Sequence, residues 1–396
     1  MIRGRIRACC VAAGIAAVPA RGSDVVVHTF QGGSDGANPQ SPLISDQSNN
    51  LYGTTVQGGS GTNCHSGDSG GCGTVYRLAP DGTETVLYAF TGGCDGANPN
   101  GGLVADQAGN LYGTTAKGGD CSSDEGFGTV YKLAADGTET VLHSFSGGTD
   151  GEYPSSSLTI DRKDNLFGEA AGGGKNQCCG VVFRASPVGR LKVLHTFSGG
   201  SEGGIPAGGM IMDKSGNLYG TTSHGGGTGC NPSGCGTVFK LAPDGTLSVV
   251  YAFQGVSDGA FPEFGVVADR SGNLYGATVA EGAGRNGTVF KVTPEGTESV
   301  LYSFPFGSVY KPAAGVILDK VGNLYGLAAT SQSRHCSECG LVFKITPNGT
   351  ETQVGKFKGL GGRDPAASLL LKNEVLYGTA VVGGTFGYGV VFSMEK

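Results

Sequence analysis

The tetrapeptide Asn-Leu-Tyr-Gly begins at Asn50, Asn110, Asn217, Asn273 and Asn323, and variants of it occupy 165–168 and 375–378. These seven copies lie 50 to 60 residues apart. Each is followed by a Gly-x-Val segment, at Gly73, Gly128, Gly180, Gly236, Gly287, Gly340 and Gly389. A fixed period of this length means an array of one supersecondary unit rather than several unrelated domains.

One unit reads from 103 to 145. Residues 103–106 make a short apolar strand and 107–109 a tight turn. A second strand covers 110–115, and a Gly-rich loop runs to 127. Residues 128–133 alternate apolar and polar, as a half-buried strand does. Asp136-Gly137 then marks a turn into a fourth strand over 138–145. Four short antiparallel strands per unit predict a propeller blade. The 75 glycines, 38% hydrophobic and 15% charged residues fit many short strands joined by turns.

The ends of the chain bear on closure. The seventh unit has strands over 368–371, 375–380 and 389–393 but no fourth strand. Val25-Val26-Val27-His28-Thr29-Phe30 carries the fourth-strand pattern of 86–90. The expected fold is therefore all-β: a seven-bladed β-propeller with four antiparallel strands per blade, closed by the N-terminal strand completing the last blade. Closure removes exposed sheet edges. A single propeller domain is expected over 21–396.

The unit at 103–115, Leu-Val-Ala-Asp-x-x-Gly-Asn-Leu-Tyr-Gly-Thr-Thr, continues at 128–145 as Gly-Thr-Val-Tyr-Lys-Leu-Ala-x-Asp-Gly-Thr-Glu-Thr-Val-Leu-x-x-Phe. It resembles the tandem repeat of the bacterial GloVer-containing proteins and, more loosely, NHL-type propeller repeats. The resemblance implies export and a propeller fold. Family members often carry a C-terminal surface anchor, whereas this chain ends at Lys396 just after a strand, so a soluble exported form is expected.

Residues 1–20 read as a signal peptide: Arg3, Arg5 and Arg7, an apolar run over 8–18, then Val18-Pro19-Ala20. That run is too short to span a bilayer, and no other segment is long and apolar enough. Cleavage would take the formal charge from −6 to −9, which leaves no basic footprint for nucleic acid. A secreted or periplasmic monomer is expected.

Strand order divides the loops between two faces. First-to-second and third-to-fourth turns are tight. Second-to-third loops (57–71, 117–127, 223–235) and blade-to-blade loops are long and share the other face, where binding would reside. The ten cysteines outside the signal segment lie there. Cys64/Cys72, Cys94/Cys121, Cys230/Cys235 and Cys336/Cys339 are candidate disulfides, and Cys178-Cys179 is either a vicinal bridge or two thiols. His335-Cys336-x-x-Cys339 has zinc-like spacing but too few donors for a site, so no metal centre is expected.

Candidate chemistry divides into repeated and repeat-breaking residues. The blade-to-blade loops share Gly-Gly-x-Asp-Gly-x-x-Pro, with Asp35, Asp95, Asp150 and Asp258 at its acidic position, Glu202 substituting and Asp364 nearby. They form either an acidic ring attracting Ca²⁺ or side chains folded onto the following amides in turns. The second reading is preferred, because a residue present in most blades serves the blade. Positions after the loop prolines should face the channel mouth; Gln40, Asn100 and Glu263 are its functional-group-bearing members, with Ser155 and three alanines completing the set. Glu169 replaces a repeated threonine, and Glu281 and Arg285 occupy a shortened loop. His28, His143 and His195 hold equivalent fourth-strand positions and read as structural. No nucleophile elbow, P-loop or His-Glu-x-x-His motif occurs.

The expectation is a non-enzymatic binding scaffold for a protein or glycan partner, without a cofactor. The alternative is a lactonase-like hydrolase or lyase using Glu263, Glu169 or a divalent cation at the channel mouth.

Overall fold

The computed structural model describes residues 25–61, 64, 70–121, 126–175, 178–227, 229–230, 232–306, 308, 310–330, 339–358 and 361–396. Each repeat folds as one antiparallel sheet, and seven sheets succeed one another as blades. Blade 2 comprises Val104–Ala105, Leu111–Thr115, Thr129–Leu133 and Glu139–Ser144, paired in chain order. The innermost strand is shorter than its apolar pattern suggests, only two residues in five of the blades. Near the axis the backbone turns to the neighbouring blade instead: the Gly102 N–H donates to Ser157 Oγ at 3.1 Å. In blades 6 and 7 an extra strand, Tyr310–Pro312 or Arg363–Pro365, pairs with the far half of the second strand.

The repeat signature follows from how blades lock together. A Cβ on Gly53 would stand 2.5 Å from the Tyr76 hydroxyl, and one on Gly168 2.4 Å from the Phe183 ring. Glycine is required because the third-strand aromatic lies across it. That aromatic also meets the Phe that ends the preceding blade's fourth strand. Edge-to-face pairs such as Phe30–Tyr76, Phe90–Tyr131 and Phe357–Phe392 recur at all seven junctions, with centroids 4.7 to 5.5 Å apart. Each contributes about 0.5–1.5 kcal/mol beyond its buried area.

The glycine of Gly-x-Val serves the same junction. Gly73 has φ +98°, and a Cβ there would meet Thr55 O at 2.4 Å and Pro99 of the next blade at 2.5 Å. At the seam between blades 7 and 1, Gly389 meets Pro39 at 2.4 Å in the same way. The ring is closed by backbone pairing within blade 7: Val25↔Ser393, Val26↔Phe392, His28↔Val391 and Thr29↔Val390. The N-terminal strand is thus the fourth strand of blade 7.

Asp-x-x-Gly-Asn-Leu-Tyr is a hydrogen-bonded turn. Asp106 Oδ1 accepts the N–H groups of Ala108 and Asn110 at 2.9 Å each. Its Oδ2 accepts Asn110 Nδ2 at 2.6 Å and the Tyr112 hydroxyl at 3.0 Å. Burial opposes ionisation, but these donors outweigh it and hold the carboxyl below its usual range. Asp106→Ala is expected to cost about 2 kcal/mol, the worth of hydrogen bonds to a charged acceptor; urea unfolding of the variant measures this.

Among the described residues, no helix is long and apolar enough to cross a membrane. The expected leader, residues 1–20, lies outside the described residues.

Candidate functional site at the channel mouth

Backbone bridges confirm that long loops and blade-to-blade loops share a face. Ala37 pairs with Gln57, Ala97 with Lys117, Glu152 with Gly172 and Ala260 with Ala280. Disulfides join Cys64–Cys72, Cys94–Cys121 and Cys230–Cys235 as the spacing suggested. Cys178 and Cys179, left open between two states, form a vicinal bridge. Cys336 and His335 lie outside the described residues.

On the axis the residues following the loop prolines converge. Gln40, Asn100, Ser155, Ala207, Glu263 and Ala366 line one cavity of about 210 Å³, with further hydroxyls from Ser156, Ser157 and Ser368. Glu263 is the one ionisable side chain among its described lining residues. Asn100 Oδ1 is buried and has no hydrogen-bond partner in the protein. A larger cavity of about 480 Å³ opens between blades 7 and 1, lined by Val25, Asp81, Lys372 and neighbours. Its counterpart between blades 1 and 2 measures about 130 Å³, so it is a groove of the blade junction rather than a distinct site.

Glu169 does not line the channel. It is 1% exposed, on the second strand of blade 3, Leu166–Ala170. At this position in other blades, a threonine donates to a carbonyl of the following blade: Thr54 to Pro99 O and Thr221 to Phe264 O, at 2.8 and 2.9 Å. Glu169 reaches the same junction as an acceptor, taking the Gly209 N–H on Oε2 at 3.1 Å. Its Oε1 has no partner. Burial pushes its pKa up to about 8, against the lowering effect of Gly209 and Ser156. At neutral pH it is mainly the uncharged acid, held inside a blade junction. The sequence showed the break in the repeat but not its burial.

The acidic loop positions close turns, in the direction opposite to that expected. Asp35, Asp95, Asp150, Glu202 and Asp258 accept the backbone N–H four residues earlier, from Gln31, Thr91, Ser146, Ser198 and Gln254, at 2.7 to 3.1 Å. Asp364 differs: it is exposed, with φ +52°, in the strand Arg363–Pro365. Four of the five turn acids also engage the preceding fourth strand. Tyr88 and Tyr251 donate to Asp95 and Asp258 at 2.9 and 2.8 Å. His143 pairs with Asp150 at 3.0 Å and His195 with Glu202 at 3.5 Å.

A set of glutamates that no motif marks lies beside these acids. Burial, and secondarily the neighbouring Asp35, Asp95 and Asp258, raises Glu84, Glu139 and Glu298 to about 7. Their signal was available as a glutamate opening the fourth strand in several blades. Glu281 and Arg285 occupy a tight loop in which Glu281 bridges Asn286, each with positive φ.

Seven four-stranded sheets, closed by the chain's own N-terminal strand around a polar axial cavity, define a seven-bladed β-propeller. The chain belongs to the Gloeobacter/Verrucomicrobia repeat family, whose model matches residues 60–263 and 229–396. No curated protein sequence matches it. Solved structures similar to it include a gluconolactonase from Xanthomonas campestris, 16% identical with a TM-score of 0.43, covering 81% of this chain and 96% of that one. Another, described as a candidate gluconolactonase, is 14% identical with a TM-score of 0.43, covering 78% and 89% respectively. At this level of likeness neither bears on the site's chemistry.

Proposed function

We propose that this chain is an exported, monomeric binding propeller whose channel mouth receives the hydrogen-bond donors of a hydroxyl-rich or ammonium-bearing ligand group. One observation carries the reading: Gln40, Asn100 and Glu263, from three different blades, line a single cavity on the axis. Amide and carboxylate oxygens accept hydrogen bonds, so a ligand group that brings donors finds partners there. The cavity, about 210 Å³, is smaller than the roughly 300–1,000 Å³ that encloses a whole small molecule. It suits the tip of a larger partner, such as a glycan's terminal residue or a protein side chain.

General acid–base catalysis needs a proton acceptor and a donor at the reacting bond. The cavity's described lining offers only Glu263 as an ionisable group, and Glu169 is occupied inside a blade junction. Each turn acid gives an oxygen to a backbone N–H group, and no cofactor is proposed for the channel mouth. Export is supported by the leader-like 1–20 segment and by the four disulfides among the described residues, since disulfides persist in oxidising compartments.

The test is to assay purified protein on a panel of lactones, with and without divalent cations. Wild type and Glu263→Gln are expected to give the same background rate. Turnover that disappears in Glu263→Gln would replace this reading with the lactonase-like one.

A further inference from the structure

Five blade junctions bring together a fourth-strand His or Tyr, the turn acid that follows it, and the residue opening the next fourth strand. Where that last residue is Glu139 or Glu298, the aromatic is Tyr88 or Tyr251, donating to Asp95 or Asp258 at 2.9 or 2.8 Å. Where the aromatic is His143 or His195, the opening residue is Leu191 or Leu247 and the histidine pairs with its turn acid. Among the described residues, only the junction of blades 7 and 1 combines a histidine with two carboxylates: His28, Asp35 and Glu84.

These three offer one ligand atom each, all within 4.8 Å of one another. His28 Nε2 and Glu84 Oε1 are both buried without a hydrogen-bond partner; His195 Nε2, Glu139 Oε1 and Glu298 Oε1 are unpartnered at other junctions, but among the described residues an unpartnered imidazole nitrogen and an unpartnered glutamate oxygen meet only here.

We propose that His28, Asp35 and Glu84 form a site for a first-row divalent cation that pins the closing strand of blade 7 to blade 1. One imidazole nitrogen with two carboxylate oxygens suits Zn²⁺ or its first-row neighbours better than Ca²⁺ or Mg²⁺, which favour all-oxygen shells. Zinc bonds of about 2.1 Å set ligand atoms roughly 3.4 Å apart, so the cluster needs only a small side-chain contraction. Asp35 gives Oδ2 to the Gln31 N–H, leaving Oδ1 for the ion.

The experiment titrates chelator-treated, disulfide-intact protein with Co²⁺, followed by visible absorption, and with Zn²⁺ by calorimetry. Saturation at one equivalent and a melting temperature that climbs with Zn²⁺ concentration are expected. His28→Tyr installs the residue that Tyr88 and Tyr251 hold at this position, so it should fold and bind at least about tenfold more weakly. Glu84→Gln should weaken binding similarly, and Glu139→Gln, at the next junction, should not. Absence of saturable binding by the wild type overturns the proposal. So does wild-type affinity in Glu84→Gln, which decides the matter alone should His28→Tyr fail to fold.

Discussion

A chain beginning at Gln31 is expected to lose cooperative folding, while one beginning at Val25 keeps it. Residues 25–30 supply four strand pairs to 390–393, the Phe30 N–H bond to Gly389 O at 3.0 Å, and the fully buried Phe30 ring. Removal of a buried Phe side chain alone costs about 3–5 kcal/mol, against a total stability of about 5–15 kcal/mol for an ordinary domain. The lost strand also exposes the backbone of Val390–Glu395 as an open edge, which invites pairing between chains. Thermal unfolding and size-exclusion chromatography of the two chains measure this. Equal melting temperatures and elution would mean that the ring does not depend on its closing strand.

Glu169→Gln is expected to stabilise the protein at alkaline pH and to leave it nearly unchanged at pH 5. The folded pKa of Glu169 is about 8, against an ordinary 4.5. Between those values the folded chain holds a proton that the unfolded chain has released. Stability from this group is therefore full below about pH 4.5 and falls as pH rises through 8, by on the order of 4–5 kcal/mol at the upper end. Glu84, Glu139 and Glu298 act in the same direction between 4.5 and about 7, with smaller effect because they are half-exposed. Asp46, Asp106 and the other lowered aspartates act oppositely, losing their contribution as pH falls through their depressed pKa values. Stability should peak in mildly acidic solution. Melting temperatures at pH 5 and pH 9 test this: wild type should drop much further than Glu169→Gln, and parallel profiles would contradict a buried neutral acid.

The scaffold was legible because propeller physics repeats. Gly53, Tyr76 and Phe30 belong to one junction that the chain builds seven times, so spacing alone exposed blade number and closure. The channel residues were legible for the same reason: once Pro39 and Pro99 were aligned, Gln40 and Asn100 had to occupy equivalent places. What stayed hidden depends on contacts between neighbouring blades. No local pattern says that Glu169 bonds Gly209, 40 residues away, or that Glu84 lies beside His28 across the seam. The backward direction of the Asp35 turn was hidden too, since a carboxylate among glycines can reach amides on either side.

Asn100 and Glu263 are proposed to form one donor-accepting site at the channel mouth. Binding of purified wild type, Asn100→Ala and Glu263→Gln to an array of glycans and amine-bearing peptides tests it most directly. A saturable ligand is expected for the wild type, lost by both variants while they retain the wild-type melting temperature. A ligand bound equally by all three proteins would contradict it.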